Sequence, residues 1–196
     1  MRYTKGHKDH SRERILKAAA RKFRRQDIAA TGITGIMAEA GLTNGGFYSH
    51  FRSKNDLVRE GLERALDEQL RPLAEGDAAP GQLNELIRYY LSAEHRDRPH
   101  AGCASAALLS EIARQPRVIR KAYTARMREF LEQLVRRLPP NNSSRASHET
   151  AMGIFAVLVG ALQLARAVED PVMSDAILAA GVRAANTLAD TAEGRL

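Results

Sequence analysis

Residues 40–54, with the sequence AGLTNGGFYSHFRSK, concentrate side chains that can donate or accept hydrogen bonds. Hydroxyl, amide, imidazole and ammonium groups bind phosphate oxygens, and hydroxyls and amides also bind the edges of nucleic-acid bases. The residues that could supply these groups are Thr43, Asn44, Tyr48, His50 and Lys54. Gly45 and Gly46 carry no side chain, so the backbone there can approach a partner closely. The segment therefore favours non-covalent contact with a polyanion.

Two short helices must position these groups. Residues 31–41 predict a helix that ends at Gly41, because glycine readily adopts the left-handed conformation found at helix C-termini. Residues 43–51 predict a second helix, in which Phe47 and Phe51 are four apart and should both point inward. Two helices joined by such a turn form a helix-turn-helix, whose second helix enters the DNA major groove. The alternative is an ordinary surface turn with core aromatics.

Each of three helices predicted in the N-terminal third of the chain starts at a Ser or Thr that can act as its N-cap. Residues 11–26 have an apolar stripe opposite Arg and Lys, which predicts an amphipathic helix with Ser11 as its N-cap. Thr43 is the predicted N-cap of the third helix, and the positive end of that helix favours a phosphate. Ser53 is the predicted N-cap of the fourth helix, which should end before Pro72.

The positive charge of the chain is confined to this third. The formal net charge is +7, and residues 1–60 carry 13 Lys and Arg against 6 Asp and Glu, whereas residues 61–196 carry 17 of each. A concentrated basic segment on a neutral protein is typical of a nucleic-acid-binding protein. A solvated basic face and an anionic membrane surface are the two alternatives.

The remaining composition indicates an all-α globular protein. Hydrophobic residues make up 44% of 196 residues, Cys103 is the single cysteine, and the N-terminus lacks an apolar leader, which predicts a cytoplasmic location. No segment alternates in the manner of a strand, and about nine helices are expected. The later ones are predicted near 82–95, 104–115, 117–138, 146–168 and 172–191. The predicted division is a flexible basic tail (1–10), a DNA-binding bundle (11–60) and a larger helical domain (61–196).

One run of residues resembles the TetR/AcrR family of bacterial transcriptional regulators. It comprises Ile36, Ala40, Gly41, Leu42, Thr43, Asn44, Gly45, Phe47, Tyr48, His50, Phe51 and Lys54. The resemblance implies a three-helix DNA-binding bundle followed by a ligand-binding and dimerisation domain. It also implies a DNA-facing set that consists of Thr43, Asn44, Gly45, Tyr48, His50 and Lys54, to which we add Gly46.

The chain departs from the family pattern at two positions in the second helix. Gly32 stands where many members carry a Ser or Thr that caps this helix and contacts a phosphate. Thr31 or Thr34 could supply that contact instead, and Thr34 is included in the predicted DNA-binding set. Met37 replaces a usual Ala, which we interpret as a packing change.

The neutral body should dimerise, because specific binding by a helix-turn-helix usually requires two copies on a near-palindromic operator. Residues 151–165 are apolar nearly all round, as expected of a helix covered on several sides, and Gly153 and Gly160 allow a neighbour to approach. The resemblance implies that the last two helices pair with their copies in a homodimer. A purely intramolecular core is the alternative.

The body is also expected to bind a small-molecule effector, as the resemblance implies. The candidate effector residues are Tyr89, Cys103, Tyr123 and Phe155. Cys103 lies near the start of a predicted helix, close to His100 and Arg98, which would favour its reactive thiolate and suggests an electrophile or oxidant sensor. The alternative is a buried core cysteine.

Signatures of other protein classes are missing from the sequence. It has no nucleophile elbow, phosphate-binding loop or dinucleotide motif, and no clustered metal ligands, so we expect no enzyme, no cofactor, no metal and no membrane partner. The sequence predicts a DNA-binding transcriptional regulator, with repression favoured over activation, that a small molecule or electrophile releases from its operator.

Overall fold

The computed structural model describes residues 5–75, 82–139 and 144–193. The described residues form nine α-helices and one 3-10 helix, and they contain no strand, which confirms the all-α prediction. The α-helices are α1 (Lys5–Gln26), α2 (Ile33–Glu39), α3 (Lys54–Glu75), α4 (Gln82–Tyr90), α5 (Ala93–Asp97), α6 (Ala104–Ile112), α7 (Arg117–Val135), α8 (Ser144–Ala167) and α9 (Pro171–Glu193). The 3-10 helix, Asn44–Ser49, lies between α2 and α3.

The chain forms two compact units. The first contains residues 1–69 and 103–126, and the second contains residues 70–102 and 127–196. The first unit thus combines the helix-turn-helix region with α6 and the beginning of α7, which come from much later in the sequence.

One buried apolar core holds the first unit together. It takes Ile15, Phe23, Ile36, Phe47, Phe51 and Leu57 from the N-terminal helices, and Ala104, Leu108, Ile112 and Ile119 from α6 and α7. α1 packs against both α2 and α6. Fully burying one large apolar side chain contributes about 1.5–3 kcal/mol, so Leu108, Ile112 and Ile119 are a substantial part of this core.

Two of the predicted helix boundaries are wrong. α1 begins at Lys5, so residues 5–10 are helical and Ser11 is a buried residue inside the helix instead of its N-cap. Residues 5–10 contain no proline and can extend the helix; of the predicted flexible tail, residues 1–4 lie outside the described part of the chain. α3 continues through Pro72 to Glu75, and Arg137 Nη2 donates a hydrogen bond of 2.6 Å to the Leu73 carbonyl in its last turn.

Of the other predicted boundaries, one agrees with the structure and one predicted helix is divided. Ser53 Oγ accepts a hydrogen bond of 3.1 Å from the Asp56 amide, which confirms it as the cap of α3. The predicted helix near 82–95 is divided, because Ser92 Oγ accepts from the His95 amide and starts α5 anew. Residues 76–81, which lie between the fourth helix and the helix predicted near 82–95, fall outside the described part of the chain.

In the second unit, α8 and α9 pack along each other, and α4 and α5 contact them. Arg166 on α8 donates to the carbonyls of His95 and Arg96 at 2.7 and 3.0 Å, which fixes α5 to α8. By length and composition α8 could cross a membrane, but 44% of its most apolar window is buried within the fold. Residues 151–165 lie in an apolar helix as predicted, and within the chain it is buried along only part of its surface.

Candidate DNA-binding surface

α2 ends in a glycine-dependent turn that sets the direction of the following helix. Gly41 has a φ of +67°, and its amide donates to the Ala38 carbonyl at 2.9 Å. The Leu42 amide donates to the Met37 carbonyl, also at 2.9 Å. These two bonds form a Schellman motif, which satisfies carbonyls that the helix leaves unpaired. The predicted role of Gly41 is confirmed.

The second helix of the motif is a 3-10 helix of six residues instead of an α-helix. Gly45 and Gly46 in its first turn weaken α-helix propagation, and a short 3-10 segment needs fewer consecutive hydrogen bonds. Thr43 occupies the N-cap position as predicted, although its side chain makes no capping hydrogen bond. Its hydroxyl is therefore not engaged by the helix.

Buried aromatic residues anchor this helix from below. Phe47 and Phe51 are both buried, and their rings stack with centroids 5.7 Å apart. The ring of Tyr48 contacts Phe47 edge-on at 5.1 Å, while Tyr48 itself is 76% exposed. The inward direction predicted for the two phenylalanines is confirmed, and their packing holds the tyrosine outward.

Most residues of the predicted DNA-binding set are exposed. Gly46 and His50 are half-buried, and the exposed members are Thr34, Thr43, Asn44, Gly45, Tyr48 and Lys54, which we call the exposed polar set. Two of its members, on different helices, are joined directly: Asn44 Nδ2 donates a hydrogen bond of 2.9 Å to Thr34 Oγ1.

The imidazole of His50 is in an unusual environment. Burial, followed by the positive charges of Lys8 and Arg12, lowers the pKa of His50 below its ordinary value. Its Nδ1 atom is buried and has no hydrogen-bond partner among the described residues. Near pH 7 the ring is therefore neutral, and an approaching anion would favour its protonation.

The structure separates the two threonines, Thr31 and Thr34, that could make the phosphate contact in place of a side chain at Gly32. Thr31 is buried, and its hydroxyl donates to the Asp27 carbonyl at 2.5 Å. Thr34 is exposed. Gly32 occupies the N-cap position without a side-chain bond, and no atom lies within 4 Å of where its Cβ would be. Of the two threonines, only Thr34 can reach an external phosphate in this arrangement.

The basic residues of the N-terminal third fall into two groups. Many form ion pairs inside the first unit: Arg12–Glu60, Arg21–Glu39, Lys22–Glu39, Arg24–Glu68, Arg59 with Asp56, Glu60 and Glu63, and Arg64–Glu13. Exposed cations without an ion pair among the described residues include Lys8, Lys17, Arg25, Arg52 and Lys54. Counting charges along the sequence therefore overstates how many cations can meet a polyanion.

One residue that positions this surface could not be assigned from the sequence. Glu111 on α6 is 8% exposed, and its Oε2 accepts hydrogen bonds from the amides of Ile28 and Ala29, at 2.8 and 3.1 Å. These amides belong to the loop between α1 and α2. The sequence offers no local signal, because 83 residues separate Glu111 from Ile28.

The predicted effector residues occupy different environments. In the first unit, Cys103 is 2% exposed at the N-cap of α6, and the Tyr123 hydroxyl lies 3.1 Å from Ser105 Oγ. Burial raises the pKa of Tyr123, opposed by the Ser105 hydrogen bond and reinforced by the nearby Cys103. In the second unit, Phe155 is buried against Phe130, with ring centroids 4.7 Å apart. Tyr89 is 72% exposed.

Among the solved structures, proteins of similar fold cover nearly the whole chain. The reduced form of E. coli NemR superimposes with a TM-score of 0.70 at 19% identity, covering 90% of this chain and 95% of that one. A TetR-family transcriptional regulator from Agrobacterium tumefaciens also has a TM-score of 0.70, at 23% identity, with 90% and 97% covered. At these identities the comparison establishes the fold, a helix-turn-helix followed by a helical domain.

The sequence comparisons concern the DNA-binding region. Residues 15–60 match the family profile described as bacterial regulatory proteins, tetR family. YfiR of Bacillus subtilis, an uncharacterized HTH-type transcriptional regulator, is 39% identical over 70 residues, or 36% of this chain and 34% of its own. The HTH-type transcriptional regulator AcrR of Shigella flexneri is 39% identical over 59 residues, 30% of this chain and 27% of its own. The chain therefore spans only about a third of these relatives.

Residues 15–60 thus match the tetR family profile, and the described fold is similar to that of solved TetR-family regulators.

Proposed function

We propose that this protein is a sequence-specific repressor that binds a near-palindromic operator in double-stranded DNA as a homodimer. The observation that carries the proposal is the exposed polar set, which lies within the family-matched residues 15–60 beside the 3-10 helix that buried Phe47 and Phe51 anchor. A small-molecule effector would release the protein from its operator. We further propose a cytoplasmic location, where its DNA would be available.

The proposed DNA contacts divide by chemistry. Lys54 and the Tyr48 hydroxyl would meet phosphate oxygens, as would His50, whose ring would gain a proton as a phosphate approaches. Thr43 and Asn44 would meet base edges in the major groove. Gly45 and Gly46 would permit close approach; no atom lies within 4 Å of a Cβ built at Gly45.

An exposed apolar stripe on α8 supports the homodimer. Met152, Ala156 and Leu164 are exposed and Gly160 is half-buried, so small or apolar residues recur every four positions along this helix. Gly160 has no atom within 4 Å of a Cβ position. On α9, Val172 and Met173 are likewise exposed. Large exposed apolar patches mark interaction sites, and a second copy of the chain offers the same complementary stripe.

The effector proposal retains Tyr89, Cys103, Tyr123 and Phe155 as candidates. A ligand that binds the form with altered spacing between recognition helices more tightly than the DNA-bound form would lower operator affinity, by no more than that difference in affinity. An electrophile would have to reach the buried thiol of Cys103 through an opening of the fold. If Cys103 is the sensor, an electrophile should weaken DNA binding by the wild type and leave Cys103→Ser unaffected; equal loss in both would reject this role.

Selection of operators from random duplexes tests the central proposal. The wild type should enrich a near-palindromic motif with half-site centres about 34–36 Å apart or a multiple of that distance. Tyr48→Ala and Lys54→Ala should weaken binding to it, and Lys54→Ala should reduce the salt dependence by about one phosphate contact. Matched controls are Tyr89→Ala, which removes an equally exposed tyrosine, and Lys121→Ala on α7. Weak binding that fades with salt, with no enriched motif, would reject sequence-specific function.

Sedimentation of a charge variant tests the homodimer. Leu164 is 59% exposed, so Leu164→Glu should leave the protomer folded but make the protein monomeric, because it places a charge in the proposed interface. Val118→Glu is the control, since Val118 is 55% exposed on α7 and is not part of the stripe on α8. A dimer that persists in Leu164→Glu would place the interface elsewhere.

A further inference from the structure

The hydrogen bond between Asn44 and Thr34 suggests how the surface distinguishes bases, and this inference rests on the proposed DNA binding. We infer that Asn44 reads an adenine in the major groove of each half-site, and that Thr34 is the positioning residue that orients the Asn44 amide. The bond measures 2.9 Å from Asn44 Nδ2 to Thr34 Oγ1, and it connects α2 to the 3-10 helix.

The hydrogen-bonding groups that remain on Asn44 match one base. An amide nitrogen carries two hydrogens, so donation of one to Thr34 leaves one N–H together with the acceptor Oδ1. Adenine presents an acceptor, N7, beside a donor, the N6 amino group, in the major groove. Guanine presents two acceptors there and would leave Oδ1 facing another acceptor. The described arrangement therefore favours A·T over G·C at the position opposite Asn44.

The position of the pair favours access to DNA. Both side chains are exposed, and the neighbouring glycines on either helix, Gly32 and Gly45, have no atom within 4 Å of a Cβ position. No adjacent side chain at these two glycines therefore separates the amide from an approaching duplex.

A purely structural role explains this hydrogen bond poorly. A solvent-exposed neutral hydrogen bond contributes little to folding, because water replaces each partner when the bond is lost. Its effect is mainly to restrict the rotation of the Asn44 amide, and a restricted amide loses less entropy when it binds a base. Because Thr34 accepts this bond, its own O–H hydrogen remains available for a phosphate, in place of the missing cap at Gly32.

The full-length protein and its selected operator provide the test. Single base-pair changes are scanned through one half-site for the wild type, Asn44→Ala, Thr34→Val and Thr34→Ser. The wild type should prefer adenine at one position by roughly tenfold, which corresponds to a bidentate base contact. Asn44→Ala should abolish the preference, Thr34→Val should reduce it, and Thr34→Ser, which keeps the hydroxyl, should retain it. Circular dichroism should show all four proteins equally folded.

A modified base identifies the atom that is read. Replacing that adenine by 7-deazaadenine removes the N7 acceptor and should weaken wild-type binding roughly tenfold while leaving Asn44→Ala unchanged. The inference is overturned if Asn44→Ala alters no base preference, if the affected position prefers another base, or if Thr34→Val keeps the full preference. Failure of the wild type to select any motif would overturn the proposed function as well, so the two failures are distinguishable.

Discussion

The two connections that flank α2 are held in different ways. The connection after α2 is closed by its own backbone, with Gly41 in the left-handed region and both hydrogen bonds made within six residues. The loop before α2, residues 27–32, is held by Glu111, which comes from α6 and accepts from two of its amides. The local turn sets the geometry within the helix-turn-helix, whereas the distant carboxyl group sets where that motif begins on the first unit.

Of the substitutions at these two connections, removal of the Glu111 carboxyl group should lower the free energy of unfolding most. Glu111→Ala leaves two loop amides without an acceptor, one of them fully buried, and should lower the free energy of unfolding by about 2–4 kcal/mol. Chemical denaturation measures the loss. Glu111→Gln keeps an oxygen acceptor and should lose less stability. As a control, Glu169→Ala removes an exposed carboxylate and should leave the free energy of unfolding nearly unchanged. Equal stability of Glu111→Ala and the wild type would show that the loop needs no distant partner.

Addition of a Cβ atom at Gly41, in the turn after α2, should cause the next largest loss of stability. Gly41→Ala forces a side chain into a φ of +67° and should cost about 1–2 kcal/mol. The added Cβ would also meet the end of the Arg14 side chain, which is flexible and can move away at little cost. Gly41→Asn should lose less than Gly41→Ala, because asparagine tolerates this conformation better. The reverse order in thermal unfolding would argue against left-handed strain.

Within the loop before α2, Thr31 should contribute less than Glu111. Asp27 adopts a φ of +70° without being glycine, and the buried Thr31 hydroxyl donates to its carbonyl. Thr31→Val keeps the shape of the side chain but removes this bond, and should cost about 1 kcal/mol by denaturant unfolding. Thr124→Val removes a comparable bond at an exposed position of α7 and should cost less. Equal losses would mean that burial of the loop bond is unimportant.

The smallest expected effect is a gain. Gly32→Ser adds a side chain into open space at an N-cap with φ −85° and ψ 152°, where a hydroxyl can accept from a free amide of α2. The free energy of unfolding should rise by a few tenths of a kcal/mol, and Gly32→Ala, which lacks the hydroxyl, should show no gain. The substitution would give the start of α2 a capping hydrogen bond from its own N-cap residue. A destabilised Gly32→Ser would reveal a contact that glycine avoids.

The turn after α2 was predictable from the sequence, whereas the contact of Glu111 with the loop before α2 was not. The turn at Gly41, the inward Phe47 and Phe51 and the cap at Ser53 depend on residues within about one or two turns of each other, so spacing and residue type were sufficient. The acceptor for the Ile28 amide lies 83 residues away, and no periodicity links the two. Family resemblance supplied the proposed DNA-facing residues of the 3-10 helix, but not the bond between Asn44 and Thr34.

Errors at the helix ends have a similar origin. Pro72 normally terminates a helix, yet Arg137 stabilises the last turn of α3 through the Leu73 carbonyl. Serine is a common N-cap residue, but the residues before Ser11 are compatible with a helix. Ser11 is therefore a buried residue inside α1. The sign of the charge on the N-terminal third was predictable, whereas its division between internal ion pairs and exposed cations depends on tertiary contacts.

The core of the first unit has a consequence for the order in which the chain can fold. The family-matched residues 15–60 emerge from the ribosome before Ala104, Leu108, Ile112 and Ile119, which complete their core. We therefore expect the nascent DNA-binding region to remain incompletely packed until residue 119 has left the exit tunnel. A chimera that transfers this DNA-reading region to another regulator would need to carry α6 and the first turn of α7 with it.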